Sequence, residues 1–504
     1  MYISKVAISN FRSFDQFSVD LNDGLSVIIG ENNVGKSNFL EALNLIFNSN
    51  YSPRKRILKQ GDFYNGLEIK GEWPEITIEV ILKGISNEDE LAITSRWLTR
   101  NPGEAKITYK YRPKSNISTD PPSEQVSINR LQLPLNEYEW IIYGGERETL
   151  DNFDFNMLSK FGIEYVGALR DATTELKKSS GKLQHILRNF ELNENDLQDI
   201  AEKVEELNEI LIKGDDIQKI RDDLNHYLVN ITGSTRQKVQ ITMGESDYDS
   251  LIKDLKVLIG EEDKVHSVEM NGLGYNNLLF ISLLLTQYST LKERKLHNYD
   301  YIFPIIIVEE PEAHLHTHLQ KYLANYFFKQ KIAGQVIITS HSTHVSSHTD
   351  LDSLIVFYRS NQKTISKRIG TIFDSNLKEH RQYKRYLERW LDATKSDVFF
   401  GRKVLLVEGI AERLLIPKFF SMIYSEKVEI DDRVIENEKT LEGEGISIIS
   451  VDGVAFRPFL HLFGSSGLNI KCAVLTDSDP EAIPLLDKEG NEVRGKNNEV
   501  IKED

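Results

Sequence analysis

Residues 30–37 constrain this chain more than any other stretch. They read Gly-Glu-Asn-Asn-Val-Gly-Lys-Ser, which matches the phosphate-binding loop pattern G-x-x-x-x-G-K-[ST]. An apolar run precedes them and apolar residues at helical spacing follow, so the loop lies between a predicted strand and a predicted helix. In such a loop, backbone N–H groups and the helix N-terminus bind phosphate oxygens. We expect Lys36 to contact the β/γ-phosphates and Ser37 to bind Mg²⁺. The alternative is a strand-to-helix turn that binds nothing.

A second constraint is the apolar run that ends in Glu309 and Glu310. Two adjacent carboxylates at a strand end suit a Mg²⁺-dependent ATPase, because one reaches the metal shell and the next reaches the attacking water. We therefore predict Glu309 as a metal ligand and Glu310 as the general base. His341 follows the next apolar run, at residues 335–339, and is predicted to sense the γ-phosphate. Its alternative role is structural.

Three further patterns leave alternatives open. The glycine-rich turn 271–277 opens an apolar helix, and either binds the γ-phosphate of a nucleotide on a second subunit or is a plain helix start. Residues 191–228 carry an apolar stripe that predicts a helical pair, whose face is either core or a dimer interface. The spacing of His314, His316 and His318 indicates a turn and helix start rather than a zinc site.

The last hundred residues carry acids at the ends of three predicted strands. Glu408, Asp452 and Asp477 each follow an apolar run, and Glu412 and Asp479 lie nearby. Because parallel strands place their carboxyl ends at one edge of a sheet, we expect these side chains to converge. Carboxylates suit a hard cation, Mg²⁺ or Mn²⁺. The alternative is ordinary polar residues at strand ends.

Composition limits the classes of function. A net charge of −16 excludes a nucleic-acid binder that uses its whole surface, so any such face is local. Two basic stretches, 54–59 and 378–403, are candidates, and solvated helix faces are the alternative. The single cysteine, Cys472, excludes a disulfide framework and a multi-cysteine zinc site. With no apolar run of membrane-spanning length and no signal-peptide layout, we expect a cytoplasmic protein.

Together these motifs resemble the ATPase head of ABC and SMC proteins. Residues 10–12 are similar to its N-terminal motif, 30–37 to Walker A, 271–277 to a divergent signature, 305–310 to Walker B, and His341 to the switch histidine. Residues 401–504 resemble a Toprim domain. The whole chain is similar to nucleases of the overcoming-lysogenization-defect (OLD) family, which are related to the Gabija nuclease subunit and to effectors found with some retrons.

The resemblance implies an α/β protein: an ABC/SMC-like head with an inserted helical, dimerising segment, followed by a Rossmann-like Toprim domain. The implied divisions are residues 1–165 and 236–375 for the ATPase, 166–235 for the insert, 376–400 for a basic helical linker, and 401–504 for a Toprim domain that is incomplete at its C-terminus. The implied contacts with ATP are Arg12, Asn32, Asn33, Gly35, Lys36, Ser37, Asn38, Gly272 and Gly274. The implied metal ligands are Ser37, Glu309, Glu408, Glu412, Asp452, Asp477 and Asp479, and the implied catalytic groups are Glu310, His341, Glu408 and Glu412.

By the same resemblance the chain is an ATP-controlled, Mg²⁺- or Mn²⁺-dependent DNA endonuclease in anti-phage defence. Its expected partners are DNA, a second copy of itself or a higher homo-oligomer, and a defence protein or a retron RNA/DNA element. The alternative is a regulatory ATPase or assembly scaffold, in which a degenerate Toprim domain recruits a partner protein or nucleic acid. An SMC-like repair clamp is disfavoured, since the insert of about 40 residues is too short for a long coiled-coil arm.

Overall fold

The computed structural model describes residues 1–48, 51–148, 161–167, 213–232, 257–261, 264–293, 303–321, 334–360, 363–391, 395–430, 433–437 and 439–477. Short described pieces lie at 199–200, 202–203, 206, 210, 323, 483–484 and 502–503. Residues 239–243, whose β pattern in the sequence predicts a strand, lie outside these residues, as does most of the first predicted insert helix. The second insert helix is described as Asp215–Thr232.

An antiparallel sheet forms the N-terminal lobe. Its five strands, in spatial order, are Phe14–Asp20, Tyr2–Phe11, Ile76–Lys83, Glu104–Pro113 and Tyr138–Gly144. Strand Ile76–Lys83 alternates buried and half-buried residues, the period-two pattern of a sheet with one face in a core. The β pattern of residues 126–131 in the sequence predicts a strand, and this prediction is wrong in extent. Only Val126–Ser127 is extended, paired with Glu68–Ile69, and Ile128–Arg130 forms a 3₁₀ turn.

A six-stranded, mostly parallel sheet carries the phosphate loop. Its spatial order is Lys363–Arg368, Leu354–Ser360, Leu25–Gly30, Gln335–Ser340, Phe303–Glu309 and Phe161–Val166, and only Lys363–Arg368 is antiparallel to its neighbour. Ile29 is opposite Ser340, and Thr339 is opposite Glu309. This register brings the loop, the paired glutamates and His341 to the same edge of the sheet.

Both faces of this sheet are buried, as parallel sheets require. Ile28 faces one core, which it shares with the antiparallel sheet and with helix Lys36–Phe47. Val27 and Ile29 face a second core, and this core also contains Val404 and Leu406 from the C-terminal domain. The two domains therefore share apolar packing.

The C-terminal sheet contains three parallel strands in the order Ile446–Ser450, Lys403–Val407, Lys471–Leu475. Val407 is opposite both Ser450 and Leu475, so the residues that follow all three strands lie at one edge. Helices Ile410–Tyr424 and Arg457–Phe463 flank the sheet, and Glu426–Ile430 pairs with Arg433–Asn437.

The remaining helices are Glu88–Thr94, Leu273–Glu293, Thr343–Ser347 and Lys378–Trp390, and residues 317–321 are also helical. Two small hairpins pair Leu258–Glu261 with Lys264–Ser267 and Ile483–Pro484 with Lys502–Glu503. The β pattern of residues 265–270 in the sequence predicts a strand, which is too long, since Val268–Met270 is a 3₁₀ turn. In the part of the chain that the structure describes, no helix has the length and apolar character needed to cross a membrane.

Candidate nucleotide site and acidic strand edge

The phosphate loop has a backbone that needs its two glycines. Gly30 has φ +151° and Gly35 has φ +108°, a region that L side chains rarely adopt. A Cβ on Gly30 would lie 2.2 Å from the Phe357 carbonyl oxygen, and one on Gly35 would lie 2.4 Å from the Ser13 hydroxyl oxygen. Asn33 also has a positive φ of 61°. The loop is therefore pressed against its neighbours, and larger residues are excluded at both glycine positions.

Lys36 lies inside the loop. Its ammonium donates hydrogen bonds to the carbonyl oxygens of Gly30, at 2.7 Å, and Glu31, at 2.8 Å. Burial lowers the pKa of Lys36 to about 8, although the negative charge of Glu310 opposes this shift. The ammonium is thus held at the loop, where phosphate oxygens bind in this motif.

Ser37 and Glu309, the two predicted Mg²⁺ ligands of the nucleotide site, are in direct contact. The Ser37 hydroxyl donates a short hydrogen bond to Oε1 of Glu309. Oε2 of Glu309 accepts a hydrogen bond of 2.7 Å from the hydroxyl of Tyr165. Burial and this carboxylate raise the pKa of Tyr165. The donor set of a hydroxyl and a carboxylate is oxygen-only, which fits Mg²⁺.

Sequence analysis missed Tyr165. This residue lies in the strand Phe161–Val166, which pairs with Phe303–Glu309, and Tyr165 is opposite Ile307. The tyrosine and the glutamate it contacts are 144 positions apart in sequence. Only the register of two strands brings them together, and no local pattern in the sequence marks it.

His341 bridges the general-base candidate and the lysine. Its Nε2 lies 3.4 Å from Oε1 of Glu310, and its Nδ1 lies 3.4 Å from Nζ of Lys36. Burial lowers the pKa of His341 to about 4, and the charge of Lys36 adds to this effect. The imidazole is therefore neutral near pH 7. Glu310 itself has φ +46°, a left-handed turn that directs the chain away from the strand end.

A second carboxylate that the sequence analysis missed holds the His341 loop in place. Glu312 is 9% exposed, and one of its oxygens accepts hydrogen bonds from the Ser340 hydroxyl, at 2.6 Å, and the His341 N–H, at 2.8 Å. Its other oxygen has no hydrogen-bond partner within the described residues. Burial raises the pKa of Glu312. The run Glu309-Glu310-Pro311-Glu312 was its only sequence signal.

Three other residues that are predicted to contact ATP lie around the phosphate loop. Arg12 is 2.8 Å from Asp62 and 3.4 Å from the amide oxygen of Asn38, so both lie beside the start of the loop helix. Asn32 lines a cavity with Glu31 and His341. The resemblance to ABC heads makes Gln60, before Asp62-Phe63, a candidate for their Q-loop glutamine. Its side chain donates to two backbone carbonyls and so supports a turn.

The glycine-rich turn packs against the Walker B turn. A Cβ on Gly274 would lie 2.5 Å from the carbonyl oxygen of His314, whereas one on Gly272 would meet nothing within 4 Å. Gly274 thus has a packing reason for being small. His314, His316 and His318 occupy the predicted turn and helix start, and no group of three metal-binding side chains lies here or elsewhere among the described residues.

At the C-terminal sheet, Glu408 and Asp477 meet at the edge. Oε2 of Glu408 accepts hydrogen bonds from the Thr476 hydroxyl, at 2.7 Å, and from the Asp477 N–H, at 3.4 Å. Glu412 turns back onto the first turn of its helix, where its carboxylate accepts the Gly409 N–H at 2.9 Å. Such capping satisfies a donor that a helix start leaves unpaired.

Asp452 is engaged by a lysine from the preceding segment. Lys395 donates a hydrogen bond of 2.7 Å to Oδ2 of Asp452, and the Ser450 hydroxyl donates one of 2.6 Å to Oδ1. These contacts, the lysine first, lower the pKa of Asp452. Asp479 lies outside the described residues. Within the described residues, these carboxylates lie at one edge and are of a ligand type that fits a hard cation, but no three of them form one group.

An ion pair joins the phosphate loop to the C-terminal domain. The guanidinium of Arg402, the residue before strand Lys403–Val407, lies 3.2 Å from the carboxylate of Glu31 in the phosphate loop. Both residues line a cavity of about 470 Å³ with Asn32, His341 and Asp397. Arg402 and Glu408 flank the two ends of the strand Lys403–Val407, so this one strand connects the ion pair to the acidic edge.

Two family models match the chain. Residues 1–345 match the AAA ATPase domain, and residues 399–479 match the TOPRIM domain of the overcoming lysogenization defect protein-like type. The predicted order of an α/β ATPase followed by Toprim is confirmed. These domains use nucleotide and divalent metal in general. Helix Lys378–Trp390, predicted as a linker, packs on the second core.

Two relatives named as nucleases align with most of the length of this chain. The chain is 23% identical over 497 residues to an endonuclease GajA of Bacillus cereus strain VD045, covering 95% of this chain and 75% of that protein. It is 19% identical to an OLD nuclease of Thermus scotoductus, covering 84% and 74%. A solved SMC head bound to part of ScpA is 15% identical, with a TM-score of 0.39, and covers 74% of this chain and 99% of that one. The chain belongs to the AAA ATPase domain family, and it carries the TOPRIM domain of the OLD family behind the ATPase.

Proposed function

We propose that this protein is an ATP-binding and ATP-hydrolysing, metal-dependent DNA endonuclease of the OLD family that acts in the cytoplasm as an anti-phage defence effector. The observation that carries the proposal is the relative named endonuclease GajA, which aligns over 95% of the chain and so includes both sites. The scaffold alternative has no such support, because two kinds of relative are named as nucleases.

In the proposed nucleotide half, Lys36 binds phosphate oxygens and Ser37 and Glu309 hold Mg²⁺. When bound, the ion neutralises charge on the transferring phosphoryl group. Glu310 takes the proton of the attacking water. His341, neutral and 3.4 Å from Glu310, orients that carboxylate or the phosphate without adding charge.

In the proposed nuclease half, Glu408, Asp477 and Asp479 hold Mg²⁺ or Mn²⁺, with Asp452 and Glu412 completing the set. Such ions activate water and stabilise the leaving oxygen in phosphodiester hydrolysis. Glu408 also accepts or returns a proton, and Thr476 fixes its orientation through a 2.7 Å hydrogen bond. For Asp452 to bind a cation, its ion pair with Lys395 must open.

The proposed coupling runs through Arg402 and Glu31. A change in the phosphate loop moves Glu31, and its 3.2 Å ion pair passes that movement to the strand that ends at Glu408. We also propose a homodimer or larger homo-oligomer in which Gly272 and Gly274 approach the partner's nucleotide. The domain divisions given above, and a defence protein or retron element as partner, belong to the same proposal.

The test separates the two halves with two variants. Glu310→Gln should trap bound ATP, because the proton acceptor is lost while the phosphate contacts remain. Glu408→Ala should abolish nicking of supercoiled plasmid and leave ATP hydrolysis largely intact. Glu444→Ala, which removes an exposed acid of the same domain away from the edge, is the control and should nick normally. Equal nicking by Glu408→Ala would refute the nuclease site.

A further inference from the structure

Helix Lys378–Trp390 has two chemically opposite faces. Leu387 is fully buried, and Tyr386 and Trp390 pack on Phe459, with ring centroids 6.0 and 4.4 Å apart. The helix contains five basic and two acidic residues, a local excess of positive charge in a chain of net charge −16. Its apolar face is therefore fixed to the second core, and its basic face is left to solvent.

The exposed face carries an arginine stripe, formed by Arg381, Arg385 and Arg389. Their spacing of four residues puts them on one face of the helix. At a rise of about 1.5 Å per residue the stripe spans about 12 Å. That length matches about three to four base-pair steps of B-DNA, at about 3.4 Å each.

The acids of the helix leave the stripe positive. Glu379 accepts a hydrogen bond from the Tyr383 hydroxyl, and Glu388 lies 3.9 Å from Lys384. Lys384 in turn pairs with Asp352 at 2.5 Å. Across the described ranges, no carboxylate lies within ion-pair distance of the three arginines; Glu388 acts on Arg385 only at longer range. The acids near the helix therefore pair with Tyr383 and Lys384, and not with the arginines.

The stripe leads to the acidic strand edge. Trp390, at the end of the helix, donates a hydrogen bond of 3.1 Å to the carbonyl oxygen of Val451, the residue before Asp452. Lys395 lies beyond the end of the helix, 4.7 Å from the Trp390 ring, and pairs with Asp452. A polyanion on the stripe would therefore end beside Asp452, where its phosphates compete with Asp452 for Lys395.

We propose that Arg381, Arg385 and Arg389 contact the phosphate backbone of duplex DNA and hold it next to the acidic strand edge. This inference rests on the proposed nuclease function and names the surface that presents the substrate. Charge complementarity identifies the occupant, because a regular row of guanidinium groups suits a polyanion with closely spaced charges. Phosphate contacts of this kind position DNA without reading its sequence.

The other basic stretch supplies a matched control. Arg56 is 3% exposed and donates to the carbonyl oxygens of Leu45, Asn48 and Tyr51, so it supports the fold. The remaining members, Arg54, Lys55 and Lys59, are exposed on the ATPase. Changing these three to glutamine removes the same charge as changing the stripe.

The experiment measures binding of the full chain to a labelled duplex of about 30 base pairs by fluorescence polarisation, in EDTA, over a salt series. The glutamine triple variant of the stripe should raise Kd roughly 100-fold at about 0.15 M salt and reduce the slope of log K against log[salt] by about 3. The lysine triple variant, which keeps the charge, should retain most of the slope. The matched control should change Kd by less than about threefold.

Unchanged affinity and slope in the glutamine triple variant would overturn the proposal. The same result is expected if the stripe binds an acidic protein instead of DNA. An equal loss in the matched control would overturn it too. These results leave the proposed function standing if wild type still cuts plasmid. Failure of wild type to bind or cut DNA in any condition instead removes the proposed function itself.

Discussion

Tyr165 makes a contact that sets how the Walker B glutamate meets a metal ion. Its hydroxyl donates a 2.7 Å hydrogen bond to Oε2 of Glu309, and Ser37 occupies Oε1. Tyr165→Phe removes only this donor. We expect Glu309 to gain rotational freedom, which must be lost again when the carboxylate binds Mg²⁺. The metal requirement of ATP hydrolysis should therefore rise.

The size of the effect follows from the contact. Hydrogen bonds to charged groups contribute about 1.5–3 kcal/mol, and the lower figure applies because Glu309 is only half-buried and water replaces part of the bond. About 1.5 kcal/mol corresponds to a roughly tenfold higher Mg²⁺ concentration at half-maximal ATPase rate. The assay is a Mg²⁺ titration at fixed ATP with phosphate release as the readout.

Tyr138→Phe is the matched control. Its hydroxyl donates a 3.0 Å hydrogen bond to the Pro74 carbonyl oxygen in the antiparallel lobe. Tyr138→Phe should lower thermal stability by about as much as Tyr165→Phe does, and it should leave the Mg²⁺ requirement of ATP hydrolysis unchanged. An unchanged or lower Mg²⁺ requirement in Tyr165→Phe would refute the positioning role, since the hydroxyl would then be no more than a buried polar group.

Three further predictions concern the loop, the histidine and the fold. Gly30→Ala should weaken ATP binding roughly 100-fold in a fluorescent-nucleotide titration, because its Cβ meets a carbonyl at 2.2 Å; Gly61→Ala, in open space, should not. The pKa of His341 is lowered to about 4, so the neutral side chain stabilises the fold fully above about pH 6.5. This contribution is lost as the pH falls toward 4. His341→Gln should therefore reduce the difference in urea stability between about pH 5 and 7.5 by roughly 1 kcal/mol, after allowing for its partial exposure, and an unchanged difference contradicts this. Arg56→Ala should destabilise by about 3–5 kcal/mol in urea unfolding by leaving buried carbonyls unpaired, whereas exposed Arg54→Ala should cost less than about 0.5 kcal/mol, and equal costs contradict the structural role.

The nucleotide edge could be predicted because its residues follow strands. Glu309 and His341 come at the ends of apolar runs, and Lys36 closes the loop that follows a third such run. Parallel pairing brings these strand ends to one edge whatever lies between them in sequence. The same pairing brings the backbone N–H of Asp477 to 3.4 Å from the Glu408 carboxylate, but no three metal-binding side chains form one group among the described residues.

Contacts set by register or by side-chain direction could not be predicted. Tyr165 meets Glu309 through pairing across 144 positions, and Asp452 turns to Lys395 rather than to the other acids. The pairing of Arg402 with Glu31 spans 371 positions and depends on how the two domains share a core. The strand Tyr138–Gly144 was missed, and residues 126–131 took its place in the prediction.

The central claim is that a nucleotide site in the N-terminal part controls a metal-dependent cutter in the C-terminal part. Its most direct test is the rate of supercoiled plasmid cleavage by wild type with Mg²⁺ or Mn²⁺, with and without ATP. We expect metal-dependent nicking whose rate changes when ATP is added. Plasmid that stays supercoiled in every metal and nucleotide condition would contradict it.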